Sequence, residues 1–234
     1  MTLRHLISTW FSSITISLLL LLTASSSMQA QGLKLKMFRL EPDSIPMMRG
    51  FQVSFDLFGF CQRQLSDYGQ YEGALRLNLH DQWFPIVEAG YGEGEHMNDQ
   101  VTGLSYKTAA PYFRVGMDFN LLKKKHGPNR MYGGFRYAFT SYKVDLWRAN
   151  YPDPTWLWDT SFGVVGEKCS QHWLEAVLGI DAEIIGPLHL GWSVRYKRRI
   201  AHQDGVIGKT WYVPGYGIWG DTRLGGTFNV IIDI

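Results

Sequence analysis

The sequence predicts an all-β chain: an eight-stranded antiparallel up-and-down transmembrane β-barrel with a charged, side-chain-filled interior. Three observations carry that expectation. Apolar and polar residues alternate with a period of two from Phe51 to the last residue. The alternation breaks into eight runs, each near the ~10 residues that a tilted strand needs to cross a bilayer. The segments between runs are alternately short and long, the pattern of a barrel with tight turns on one side and loops on the other.

The runs follow one another along the chain. The first sets Phe51, Val53, Phe55 and Leu57 against Gln52, Ser54 and Asp56. The second sets Tyr71, Leu75, Leu77 and Leu79 against Glu72, Arg76 and Asn78, and the third Val87, Ala89 and Tyr91 against Glu88 and Gly90. In the fourth, Phe113, Val115, Met117 and Phe119 alternate with Arg114, Gly116 and Asp118; in the fifth, Phe135, Tyr137 and Phe139 with Arg136 and Ala138. Leu174, Ala176, Leu178 and Ile180 against Glu175, Gly179, Asp181 and Glu183 make the sixth. The seventh sets Leu190, Trp192, Val194 and Tyr196 against Ser193, Arg195 and Lys197, and the eighth Leu224, Phe228, Val230 and Ile232 against Arg223, Thr227 and Asn229. Residues 80–84, 123–130 and 185–187 read as short turns, whereas 93–110, 147–171 and 200–219 read as long loops. Residues 62–70 read as a further, shorter loop on the side of the long ones.

A soluble barrel would show the same alternation with its apolar face inward. The polar face here carries Gly, Ser, Asn and charges of both signs rather than a Lys/Glu-rich surface. Aromatics make up 15% of the chain, and they gather near run ends, Trp173 and Trp192 toward one rim and Trp83 and Phe84 toward the other. Amphipathic rings prefer membrane interfaces. The apolar face is therefore assigned to lipid.

Residues 1–30 read as a secretory signal peptide: Arg4, then the apolar run Ile14–Leu22, then small residues ending at Ala30. Residues 31–49 form a periplasmic N-terminal segment, and 50–234 the outer-membrane barrel of a Gram-negative bacterium. The net charge of +2 gives no sign of nucleic-acid binding. Cys61 and Cys169 allow one disulfide and no framework.

Strand parity turns Asp56, Glu72, Arg76, Glu88, Arg114, Asp118, Arg136, Glu175, Asp181, Arg195 and Arg223 inward, with Glu183 and Lys197. Buried charges need partners, so these residues are expected to form an ion network across the lumen, Arg supplying the two-pronged donors that carboxylates accept. Eight strands leave no room for a solute channel. Lys197, Arg198 and Arg199 form a candidate contact for lipid A phosphates at the outer rim, and outer-membrane lipid and lipopolysaccharide are the expected surroundings. Trp156, Trp158, Trp211, Tyr212 and Trp219 offer a candidate surface for protein partners; folding of these rings over the barrel mouth is the alternative. No catalytic, cofactor or metal site is assigned. His172 and Glu175 fall on opposite faces, and His202 with Asp204 lacks a recognisable nucleophile.

Several runs carry a family resemblance: Gly50-Phe51-Gln52-Val53-Ser54, Tyr71-Glu72-Gly73, Arg114-Val115-Gly116-Met117-Asp118, Tyr132-Gly133-Gly134-Phe135-Arg136-Tyr137 and Trp173-Leu174-Glu175. On these the chain resembles Bacteroidota outer-membrane β-barrel proteins of the domain-of-unknown-function 6048 family. The resemblance implies a small outer-membrane barrel and no catalytic residues. The expected role is non-enzymatic: a structural or accessory subunit of an envelope assembly, such as machinery for outer-membrane protein insertion or secretion. The alternatives are a lipid-modifying enzyme and a narrow channel.

Overall fold

The computed structural model describes residues 46–152, 155, 159–203, 205–206 and 208–234. The signal peptide, most of the 31–49 segment, Trp156, Trp158 and Asp204 lie outside the described residues. Eight strands close a barrel: β1 (Met48–Asp56), β2 (Tyr68–Leu79), β3 (Trp83–His96), β4 (Ser105–Asn120), β5 (Arg130–Pro152), β6 (Asp159–Ile185), β7 (Leu188–Gln203) and β10 (Thr222–Asp233). Every neighbour is antiparallel and next in sequence, apart from the two-residue strands β8 (Tyr212–Val213) and β9 (Gly217–Ile218), which pair with each other. Closure runs through β1 and β10, from Gln52 opposite Asp233 to Asp56 opposite Asn229.

Side-chain direction follows from the pleat, because neighbouring residues point to opposite faces. Phe113, Phe135 and Leu178 are 45%, 57% and 53% exposed on the outer wall, whereas Arg114, Arg136 and Glu175 are each 1% exposed. Apolar residues outside and charges inside invert the order of a water-soluble barrel. In a bilayer a closed ring satisfies the ladder bonds of its strands internally, and here it does so around the wall except where β1 stops short of β10. Tight turns at 80–82, 121–129 and 186–187 lie at the same end as Met48 and Asp233.

Four features depart from the expected layout. Residues 57–65 form a helix, α1 (Leu57–Leu65), where the alternation suggested continued strand and then a loop. The Asp56 carboxylate accepts from the Phe58 and Gly59 amides, a helix N-cap that stops β1 half-way up the wall. The expected loop 147–171 is mostly strand, since β5 and β6 continue pairing past Arg148–Phe162 to Pro152–Asp159. Glu183 is exposed rather than inward, because the β6–β7 register shifts beside it before the turn. Phe84 and Trp173 are fully buried inside, and Trp192 lies opposite Ile180 and Phe228 on the wall, away from the rim. Cys61 is exposed on α1 and Cys169 is buried, and they are not bonded.

Candidate functional site: the charged interior and its outer plug

The inward side chains of six strands meet in one ion cluster. Glu88 lies at its centre and receives three guanidiniums: Arg136 Nε at 2.7 Å, Arg195 Nη1 at 2.8 Å and Arg114 Nη1 at 3.0 Å. Arg136 also forks onto both oxygens of Asp118, at 3.1 and 3.0 Å. Arg114 Nε reaches Glu175 at 2.9 Å, and its Nη1 pairs with Glu72. Glu72 takes Arg195 Nη2 at 3.1 Å and the Tyr112 hydroxyl at 2.6 Å. Nearer the turns, Arg76 bridges Asp181 at 2.6 Å and Asp118 at 3.3 Å. The void among Glu72, Glu88, Arg136 and Arg195 is about 10 Å³, at the lower limit for a single water.

Charge alone does not fill the cylinder. Arg76 stacks over the Tyr132 ring and Arg114 over Tyr112, with centroid distances of 4.5 and 4.6 Å. Trp173 donates its indole N–H to Glu175 at 2.7 Å. Arg130, which shares the parity of Arg136, pairs with Asp233 at 3.0 Å. None of these aromatic partners was assigned from the sequence, yet parity would have found them: Tyr112 is two residues from Arg114, and Trp173 is two from Glu175.

Above the ion cluster, the hairpin β8–β9 folds back into the mouth. Its tip carbonyls are seized by basic residues. Arg114 Nη2 donates to Gly215 O at 2.8 Å, and Lys197 Nζ to Gly215 O at 2.7 Å and Tyr216 O at 3.3 Å. Arg223 donates to Ile218 O at 2.6 Å and to Trp219 O. Tyr106 donates to Tyr212 O at 2.7 Å, and Tyr212 to Gly69 O at 3.1 Å. The wall makes room with glycine: a Cβ at Gly92 would lie 2.8 Å from the Pro214 Cα. At the tip itself Gly215 has φ +77°, a conformation that favours glycine.

This geometry revises several sequence assignments. Tyr212 is buried in the plug, so it is not a partner surface; Trp211 packs on Tyr68, His96 and Tyr106, and Trp219 against His202 and beneath Arg199. Lys197 points inward at the hairpin and cannot reach a lipid phosphate at the rim, while Arg199 pairs with Asp221 and Arg198 is exposed. Arg223 grips hairpin carbonyls, and Asp56 accepts the Phe58, Gly59 and Phe228 amides; neither has an ion-pair partner among the described residues. His172 bonds Tyr137 at 2.7 Å on the outer face, apart from Glu175. Among the described residues no cluster of His, Cys, Asp or Glu has the makings of a metal site.

Polar clasps stand at both ends. In the β2–β3 turn, burial works against the charge of Asp81, but hydrogen bonds from Asn78 and His126 and the Arg49 guanidinium outweigh it, holding the carboxyl below its ordinary value. At the outer rim His96 contacts Asp67 at 2.7 Å and Asp99 at 3.4 Å, which raises its pKa, Asp67 contributing most.

A closed ring of antiparallel strands with an apolar outer face and a paired, charged centre defines a transmembrane β-barrel. The chain belongs to the family described as a domain of unknown function, DUF6048, which it matches over residues 7–233. Comparison with curated protein sequences gives no match. Among solved structures, it is similar to the attachment invasion locus protein Ail of Yersinia pestis, crystallised with the heparin analogue sucrose octasulfate: 10% identity, 79% of this chain and 93% of that one covered, TM-score 0.38. A major outer membrane protein of Thermus thermophilus shares 13% identity over 80% of this chain and 100% of its own, with a TM-score of 0.39. CarO2 of Acinetobacter baumannii shares 12% identity over 80% and 99%, with a TM-score of 0.37.

Proposed function

We propose that this protein is a non-enzymatic outer-membrane barrel serving as a structural or accessory subunit of an envelope assembly, of the kind that inserts or secretes outer-membrane proteins. One observation carries the reading: the lumen is shut twice, by the ion cluster and by the hairpin above it. Such a barrel can conduct little and must act through its surfaces. The β5–β6 arm supplies one. Beyond the last pairing with β4, at Ser105–Trp147, and with β7, at Ser170–Gln203, no further strand of the barrel pairs with the two. Phe162 is exposed on that arm, and Val165 just below it on the β6 edge beyond β7. A bare two-stranded ribbon with open edges is a natural site for strand addition or docking.

Cross-linking and affinity purification from native membranes test the proposal. One outer-membrane protein should co-purify in fixed ratio and be lost when residues 149–162 are replaced by a short turn. Recovery of the barrel alone overturns it. Steady ion conductance of the intact protein in planar bilayers would do the same in favour of a narrow channel.

A further inference from the structure

The barrel wall is incomplete beside its closing seam. Because β1 ends at Asp56, the β1–β10 ladder covers only Asn229–Asp233 on β10. Above it, Thr222–Thr227 has ladder partners on β7 and none on β1. The Phe228 amide is taken by the Asp56 carboxylate at 3.1 Å, and α1 stands beside the rest. An unpaired strand edge in hydrocarbon is unfavourable, so a polar group at this seam would be stabilised.

Two concavities meet there. On the lipid side, α1 and the wall border an open apolar groove of about 780 Å³, lined by Leu57, Phe58, Cys61, Trp192, Val194 and Phe228 among others. Inside, a chamber of about 400 Å³ lies between α1, the plug hairpin and β10, and its lining includes Tyr68, Gln70, Lys197, Tyr216 and Arg223. Phe58 and Gly226 line both. The outer space is almost wholly apolar. The inner one contains two cations and no acidic residue. Both cations meet backbone carbonyls of the hairpin rather than carboxylates. Both volumes fall within the ~300–1,000 Å³ of small-molecule sites.

We infer that this seam binds a single-chain anionic amphiphile, a long-chain fatty carboxylate, with its chain along the α1 groove and its head beside Arg223 and Lys197. The carboxylate would give Arg223 and Lys197 a direct ion-pair contact, where each now donates to hairpin carbonyls, and would face the open β10 edge. A single chain would cross from one space to the other beside Phe58 and Gly226, the two residues that line both, one of which has no side chain. The inference is independent of the accessory role proposed above.

The molecule provides its own reporter. Cys61 is exposed in the groove, and the chain's other cysteine, Cys169, is buried. The rate at which a maleimide labels Cys61 in the folded, detergent-solubilised protein is measured against added hexadecanoate, hexadecanol or a diacyl phosphatidylglycerol. Hexadecanoate should protect saturably, at about tenfold lower concentration than hexadecanol, the factor one charge-assisted hydrogen bond provides. Gly226→Leu adds its side chain where the two spaces adjoin, at a position whose Cβ would meet only Ser193 O at 3.6 Å, and should abolish protection. Arg223→Gln should erase the preference for hexadecanoate, and Arg223→Lys should keep most of it. Folding of each variant is checked by heat-modifiable migration. Equal protection by hexadecanol or by the diacyl lipid, or no protection by any of the three, overturns the inference.

Discussion

The lower lumen and the outer mouth are both closed by basic residues, used in two ways, and only Arg114 takes part in both. Below, guanidiniums meet carboxylates, and each carboxylate at the centre answers more than one strand: Glu88 on β3 holds Arg114, Arg136 and Arg195 from β4, β5 and β7. Above, Arg114, Lys197 and Arg223 meet the carbonyls of a single short hairpin. A buried charge deprived of its counter-ion is costly in a dry interior, whereas a carbonyl released from the mouth can turn to water. The lower seal is therefore tied to the stability of the whole barrel. The upper one is expected to open with the barrel intact.

The sharpest way to break this contrast is at Glu88. Glu88→Leu leaves three guanidiniums without their shared partner, and the barrel should lose about 3–5 kcal/mol, measured by urea unfolding in vesicles. A loss no greater than that of a plug variant would dissolve the distinction. Gly92→Val comes next. Its side chain meets Pro214 and should dislodge the hairpin at a cost of about 1–3 kcal/mol, exposing residues 205–221 to protease while heat-modifiable migration is retained. Arg223→Gln removes two bonds at the base of the hairpin while Arg114 and Lys197 still hold its tip, so cleavage of residues 205–221 should rise only slightly, with about 1–3 kcal/mol lost.

The smallest expected effect concerns pH at the rim. His96 in the folded chain holds its proton above the ordinary 6.5 through Asp67 and then Asp99. Its contribution is complete below pH 6.5 and is lost as pH rises through the raised folded value. Once the intrinsic base-catalysed rate is divided out, amide protection in residues 97–104 should therefore fall on going from acid to alkaline pH, and His96→Ala should remove that fall. Protection that stays constant across this pH range in the unaltered protein would detach the rim clasp from the plug it adjoins.

The ion cluster was legible because its information is local. Glu72, Arg76, Glu88, Arg114, Asp118, Arg136, Glu175, Asp181 and Arg195 each stand out of phase with a bulky apolar neighbour, and the pleat converts that phase into a face. Which acid meets which base was not legible, since it depends on stagger between strands. The plug was hidden for a different reason. Nothing local tells Tyr212 from Trp211, and their separation into buried and half-exposed follows from the hairpin fitting against Gly92 and Gly94 on a distant strand. Helix α1 lay between the two cases: Asp56 is an ordinary N-cap residue, but Phe51–Asp56 alternates so regularly that a strand reading runs through it.

By itself the sequence determined a membrane-spanning barrel with inward charges, because both depend on a two-residue period that any stretch of chain carries within itself. Only the tertiary structure decided that β1 stops half-way, that the mouth is stoppered by its own loop, and that the seam beside α1 is open. Those outcomes arise from contacts between segments far apart in the chain, where shape and available space select the partner.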